Sequence, residues 1–115
     1  TVEKINHIAQ KIGIDDFGTK FTNGFLTKIQ DGNSQLSYSN KKIILLLRAL
    51  ATDNKIIILE DPYDGLSKEI KEKMIAFLQE LAKEKTIIVV TQDDDFIQKA
   101  HQHFHMINGL LETKK

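Results

Sequence analysis

The chain has 115 residues, about the size of one independently folding unit of roughly 100–150 residues, so a second full domain is excluded. Apolar residues make up 41% and charged residues 28%, which excludes disorder as the main state. Sixteen basic residues cancel sixteen acidic ones, leaving no net field to draw the chain to nucleic acid or an anionic membrane, and with no cysteine there is neither a disulfide framework nor a thiolate metal site.

Val2, Ile5, Ile8, Ala9 and Ile12 recur at helical spacing and Gly13 ends the pattern, predicting a short amphipathic helix. From Ile14 to Gln35 the periodicity is poor and Gly18, Gly24, Gly32 and Asn33 punctuate it, as in a helical fragment followed by an irregular loop. Ser37 can cap a helix running to about Ala51; its stretch Ile43–Leu47 is apolar on every side and is expected to be buried all round. Lys55–Glu60 is a continuous aliphatic run, the pattern of a strand buried on both faces, and it leads into Asp61 and Pro62.

Ser67 caps a second long helix with Ile70, Met74, Phe77, Leu78 and Leu81 on one face, and Thr86–Thr91 reads as a second buried strand. A strand, helix, strand unit closes right-handed into a parallel sheet, so Asp61 and Gln92 should reach the same sheet edge, where ligands of α/β folds bind. Asp93–Ala100 reads as a short helix, and Phe104–Ile107 and Leu110–Glu112 as a hairpin about Asn108-Gly109. Thr1 opens no signal peptide and the longest apolar run is far short of a membrane span, so the chain itself is expected to be soluble. The fold class is α/β: parallel strands with flanking helices and a C-terminal hairpin.

Three strings in this order, LSYSNKKIILLLRAL (Leu36–Leu50), IIILEDP (Ile56–Pro62) and IIVVTQD (Ile87–Asp93), resemble the C-terminal half of an ATP-binding-cassette nucleotide-binding domain. In that family the corresponding strings are a signature LSGGQ with a helix ending in RAL, a Walker B strand ending in DEP, and a switch strand ending in THD. The likeness extends from about Phe21 to Glu112, and Gly24–Gln35 looks like the loop before the signature in exporter-type members. The resemblance implies a partial P-loop ATPase fold. Residues 1–35 would be helical subdomain and pre-signature loop, and residues 36–115 the signature helix and the C-terminal part of the ATPase core.

By the same resemblance, Glu60 would help hold Mg²⁺ on the phosphates of ATP, and Asp61 would polarise the attacking water. The family order is Asp then Glu; here the two lengths are exchanged, and a displacement of about 1 Å in a catalytic group can cost on the order of a hundredfold. The alternative is that Glu60 and Asp61 merely leave a strand for a proline turn. Gln92 stands where the family has a switch histidine; its amide donates a hydrogen bond but takes no proton. It also reads as a polar residue opening a loop.

Ser37, Tyr38, Ser39 and Asn40 occupy the signature, which would hold the γ-phosphate of ATP bound to a second nucleotide-binding domain, using backbone N–H groups and the helix dipole. Tyr38 removes the close backbone approach that glycine allows, so binding in trans is expected to be poor. Ser37 also reads as an ordinary helix cap. Beyond Pro62, Leu66 matches the family's interface loop, and Ser67 replaces its terminal Asp.

The phosphate-binding loop G-x-x-x-x-G-K-[ST] has only a near match, residues Gly13 to Lys20, and that match is rejected. Its Thr and Lys are transposed, a helix precedes it, and two aspartates inside it would repel phosphate. The chain thus looks cut near the start of the helical region, and alone it is expected to be inactive. His101, His103 and His105 alternate and could share a strand face around a metal ion, or form the solvated edge of the hairpin. Asp93, Asp94 and Asp95 read as a helix start.

The implied whole is an exporter at the cytoplasmic face of a membrane, with ATP and Mg²⁺ as cofactors. Its partners would be a transmembrane domain, met near Thr27–Asn33, and a second nucleotide-binding domain, with no nucleic acid. Two alternatives stand: a degenerate, non-hydrolysing regulatory cassette, and a free-standing α/β interaction domain.

Overall fold

Local chemistry fixes where the helices begin and end. In the computed structural model, which describes residues 2–14 and 37–114, helix α1 spans Val2–Lys11 and closes in a Schellman motif. The Gly13 N–H donates to the Gln10 carbonyl at 3.2 Å and the Ile14 N–H to the Ala9 carbonyl at 2.8 Å. Gly13 has a left-handed φ of +81°, and a Cβ there would lie 3.1 Å from Lys73 Cδ, so glycine suits the position twice over. Helix α2 (Tyr38–Leu50) starts at Ser37, whose Oγ accepts from the Asn40 N–H. Helix α3 (Lys68–Leu81) starts at Ser67 in the same way, and α4 (Asp94–Lys99) at Asp93.

Strands β1 (Ile56–Glu60) and β2 (Thr86–Val90), joined through α3, pair parallel and in register from Ile56↔Thr86 to Glu60↔Val90. Strands β3 (His103–Ile107) and β4 (Leu110–Lys114) pair antiparallel as a second sheet. Asn108 (φ 50°) and Gly109 (φ 78°) are both left-handed, as a two-residue type I′ hairpin turn requires. Among the described residues no helix is long and apolar enough to cross a membrane.

One apolar core joins the four helices and the parallel sheet. Ile8, Ala9 and Ile12 of the α1 end meet Leu46, Leu47 and Leu50 of α2, Ile57 and Leu59 of β1, Met74 and Leu78 of α3, and Phe96 of α4. The core covers one face of the parallel sheet, and two expectations fail for that reason. The strands are not buried on both faces: Ile57 and Leu59 are buried, whereas Ile56 and Ile58 beside them, and Ile88 and Val90 on β2, are exposed. Nor is Ile43–Leu47 buried all round. Helix α2 rests on α1 and β1 by one side, and Leu45 on the other side is 57% exposed. A continuous apolar run records what could be covered, not which neighbour covers it.

His101 precedes β3 and is exposed, whereas His103 and His105 lie on the strand. His105 is exposed, His103 half-buried, and among the described residues no group of three metal-binding side chains forms. The readings placed on residues 15–36, namely the helical fragment, most of the rejected phosphate loop and the loop around Thr27–Asn33, lie outside the described residues.

An ion-pair cluster docks α4 on α3. Lys71 Nζ lies 2.9 Å from Asp93 Oδ2 and 2.8 Å from Asp95 Oδ2, with the Lys71 and Asp93 side chains 18% and 14% exposed. Hydrogen bonding, first to Asp95 and then to Asp93, raises the Lys71 ammonium above the usual lysine range. The Lys71 hydrogen bond, helped by the N–H groups of Phe96 and Asp95, holds the Asp93 carboxyl below the usual carboxylate range against the opposing effect of burial.

Because the Asp93 pKa is lower in the folded state, its contribution to stability is present above about pH 3.9, the unfolded value, and is lost as pH falls through the folded one. Lys71→Met is therefore expected to lower the thermal midpoint most near neutral pH, and the gap to the parent should close below about pH 4. Calorimetry across that range checks it; a gap that persists unchanged in acid contradicts it. In the core, Met74 is fully buried, so Met74→Ala should cost about 2–5 kcal/mol in urea unfolding. Leu45→Ala on the exposed side should stay within about 0.5 kcal/mol.

Candidate functional site

The C-terminal edge of the parallel sheet gathers the residues singled out in the sequence. Glu60 ends β1 on the exposed face, in line with Ile56 and Ile58. The Asp61 N–H then donates to the Val90 carbonyl at 2.9 Å, carrying the inter-strand bonding one residue beyond Glu60. Asp61 itself turns left-handed, with φ 43°, a conformation that Asp and Asn adopt more readily than other non-glycine residues. The turn closes as the Asp64 N–H donates to the Asp61 carbonyl at 3.1 Å and the Leu66 N–H to the Tyr63 carbonyl at 2.9 Å, over a buried Pro62. The Asp61 carboxylate accepts a long hydrogen bond, 3.3 Å, from the Tyr63 hydroxyl.

On the neighbouring strand, β2 passes through Thr91 to Gln92 at the same edge, as the parallel topology requires. Gln92 is exposed and sits between two fixed neighbours. The Thr91 hydroxyl oxygen accepts from the Asp93 N–H at 2.9 Å, and the Asp93 carboxylate accepts from the N–H groups of Asp95 at 2.9 Å and Phe96 at 3.4 Å. Asp93–Asp95 thus form a helix start, as the sequence indicates, and two of these acids, Asp93 and Asp95, hold Lys71.

The start of α2 reaches the β1 turn through Tyr38, whose hydroxyl donates to Asp64 Oδ2 at 3.2 Å while the Lys42 ammonium lies 5.8 Å from its ring centre. Ser37 serves as a helix cap, its Oγ 3.1 Å from the Asn40 nitrogen. Asn40 is half-buried, and the Ser39 side chain lies outside the described residues. The first N–H groups of any helix lack intrahelical partners, so this start offers backbone donors as well as the positive end of the dipole. Tyr38, where the resemblance has a bare glycine, occupies that approach with an exposed ring.

Chemically, the edge offers two adjacent carboxylates, an amide and a capped helix start. A divalent ion that keeps several waters and rests mainly on phosphate oxygens takes only one or two carboxylates from the protein, and the exposed Glu60 can supply one. Sequence reasoning did not single out Tyr63, Asp64 or Lys71 as site residues. Tyr63 two places after an acid in a proline turn was the one available signal; Lys71 gave none, since its partners lie 22 and 24 positions away.

No protein-family model matches the chain. It is 31% identical over 114 residues to human ATP-binding cassette sub-family B member 5, covering 99% of this chain and 9% of that protein. It is 31% identical over 107 residues to an ATP-dependent lipid A-core flippase of Vibrio parahaemolyticus, covering 93% of this chain and 18% of the flippase. A lipoprotein-releasing system ATP-binding protein, LolD 2 of Rhodopirellula baltica, is 29% identical over 91 residues, covering 77% of this chain and 36% of that protein. The fold matches the structure of a bacterial Atm1-family ABC exporter with ATP bound, with a TM-score of 0.77 over 95% of this chain and 19% of the exporter; at 16% identity that likeness speaks for the fold alone. The chain belongs to the nucleotide-binding domains of the ATP-binding-cassette transporters, of which it is a fragment.

Proposed function

We propose that this chain contributes the signature helix, the Walker B strand and the switch strand of an ATPase that drives export across a membrane. The observation that carries the reading is the in-register parallel pairing of β1 and β2, which delivers Glu60, Asp61 and Gln92 to one edge beside the start of α2. Residues 1–35 would form the helical subdomain and pre-signature loop, and residues 36–115 the signature helix and the C-terminal part of the core. The relatives are named as ATP-binding or export proteins, which supports ATP as the nucleotide and a transmembrane domain as partner.

Each residue has a distinct task in this reading. Glu60 would take Mg²⁺, which supplies charge neutralisation on the phosphates when bound. Asp61 accepts a proton from the attacking water, its carboxylate steered by Tyr63. Gln92 donates its amide to the water or to a terminal phosphate oxygen. Ser37, Tyr38, Ser39 and Asn40 present the helix start to the nucleotide of a second domain in a dimer at the cytoplasmic face of the membrane. A second reading, a regulatory cassette that binds but does not hydrolyse, draws support from Tyr38, whose ring and Asp64 bond crowd that helix start.

Phosphate release by the membrane-assembled protein that carries this chain separates the two readings. Hydrolysis predicts that Glu60→Gln and Asp61→Asn each lower turnover by about a hundredfold or more while ATP still binds. Tight ATP binding with no turnover in the parent favours the regulatory cassette, and turnover indifferent to both substitutions overturns the proposed roles. The 115-residue chain alone should release no phosphate above background.

A further inference from the structure

The proposed base, Asp61, accepts a hydrogen bond from a side chain whose other contacts lead away from the strand end that carries it. Tyr63 is half-buried, and three of its contacts lead in different directions. Its hydroxyl donates to Asp61 Oδ1 at 3.3 Å. Its ring lies 5.6 Å from that of Phe96, tilted by 39°, and the Lys71 ammonium stands 5.7 Å from its centre. Phe96 and Lys71 both belong to the other strand end, since Phe96 donates its N–H to Asp93 and Lys71 is clamped by Asp93 and Asp95. Asp93 is the residue after Gln92.

We propose that Tyr63 is a positioning residue that couples the two strand ends, orienting the Asp61 carboxylate according to where Lys71 and the loop carrying Gln92 are held. The inference rests on the reading of Asp61 as the base. The sheet already joins the strand ends by backbone, through the Asp61 N–H and the Val90 carbonyl, but that bond leaves the Asp61 side chain free to rotate. The hydroxyl supplies the missing restraint, and at 3.3 Å it is long, as catalytic hydrogen bonds often are before substrate tightens them. A phenylalanine would serve the stack on Phe96 and the cation contact with Lys71 equally well, so the hydroxyl is the part of Tyr63 that packing alone does not explain.

Carbon-detected NMR of the full chain tests the coupling without nucleotide. Tyr63→Phe keeps the ring and should shift the Asp61 carboxyl resonance while leaving the thermal midpoint near that of the parent. Lys71→Met should shift both the Asp61 carboxyl and the Gln92 side-chain amide, and its effect on Asp61 should vanish in the Tyr63→Phe background. As a reciprocal probe that leaves Tyr63 in place, Asp61→Asn should move the Tyr63 ring carbon that bears the hydroxyl. An Asp61 resonance indifferent to Tyr63→Phe, or a Lys71→Met effect equal in both backgrounds, overturns the inference. An unmoved tyrosine resonance in Asp61→Asn overturns it too. Because none of these readouts involves ATP, failure of the hydrolysis reading appears separately, as absent turnover with the coupling intact.

Discussion

The parallel pairing of β1 with β2 is the constraint on which the rest of the molecule depends. Five residues on each strand match without a bulge, so side chains of equal height share a face: Ile57 with Ile87 and Leu59 with Val89 toward the helices, Ile58 with Ile88 away from them. Parallel strands need a crossover, and α3 supplies it, anchored at its start by Ser67 and in its middle by the buried Met74. Once that unit is closed, the two strands end together, and whatever follows them in sequence is delivered to one edge.

Backbone pairing sets where the strand ends lie, but not how their side chains are aimed. That task falls to a set of polar and aromatic contacts outside the sheet. Tyr38 approaches the β1 turn from α2, Lys71 from α3 and Phe96 from α4, so three helices converge on the eight residues that run from Glu60 to Ser67. Lys71 is central because it is charge-paired with two carboxylates while lying over a tyrosine ring, and each interaction narrows its freedom for the others. The site is therefore a property of the helical layer as much as of the strands.

What was legible in the sequence was local. The caps at Ser37, Ser67 and Asp93, the stop at Gly13 and the Asn108-Gly109 hairpin follow from interactions within a few residues, and each occurs where its pattern points. The meeting of Asp61 and Gln92 at one edge was legible because handedness and parallel pairing leave little choice. Burial was less so. Ile56, Ile58 and Leu45 are as hydrophobic as their buried neighbours, and only the placement of whole layers decides which of them face the core. Tyr63 and Lys71 escaped because their partners are brought to them by tertiary packing, which no spacing encodes. Of the candidate site, the acid pair, the amide and the serine were readable, and the side chains that steer them were not.

The left-handed backbone at Asp61 bears on the order of the two acids. For most L-amino acids that conformation costs roughly 1–2 kcal/mol, a penalty that the short carboxylate side chain of Asp softens by bonding to nearby groups. A glutamate at this place would extend the carboxylate by one methylene but would fit the bend less well. The succession Glu60 then Asp61 is thus matched to the curvature of the chain at that point. Length of side chain and ease of turning compete at a single residue, and here the geometry of the corner sides with the shorter acid.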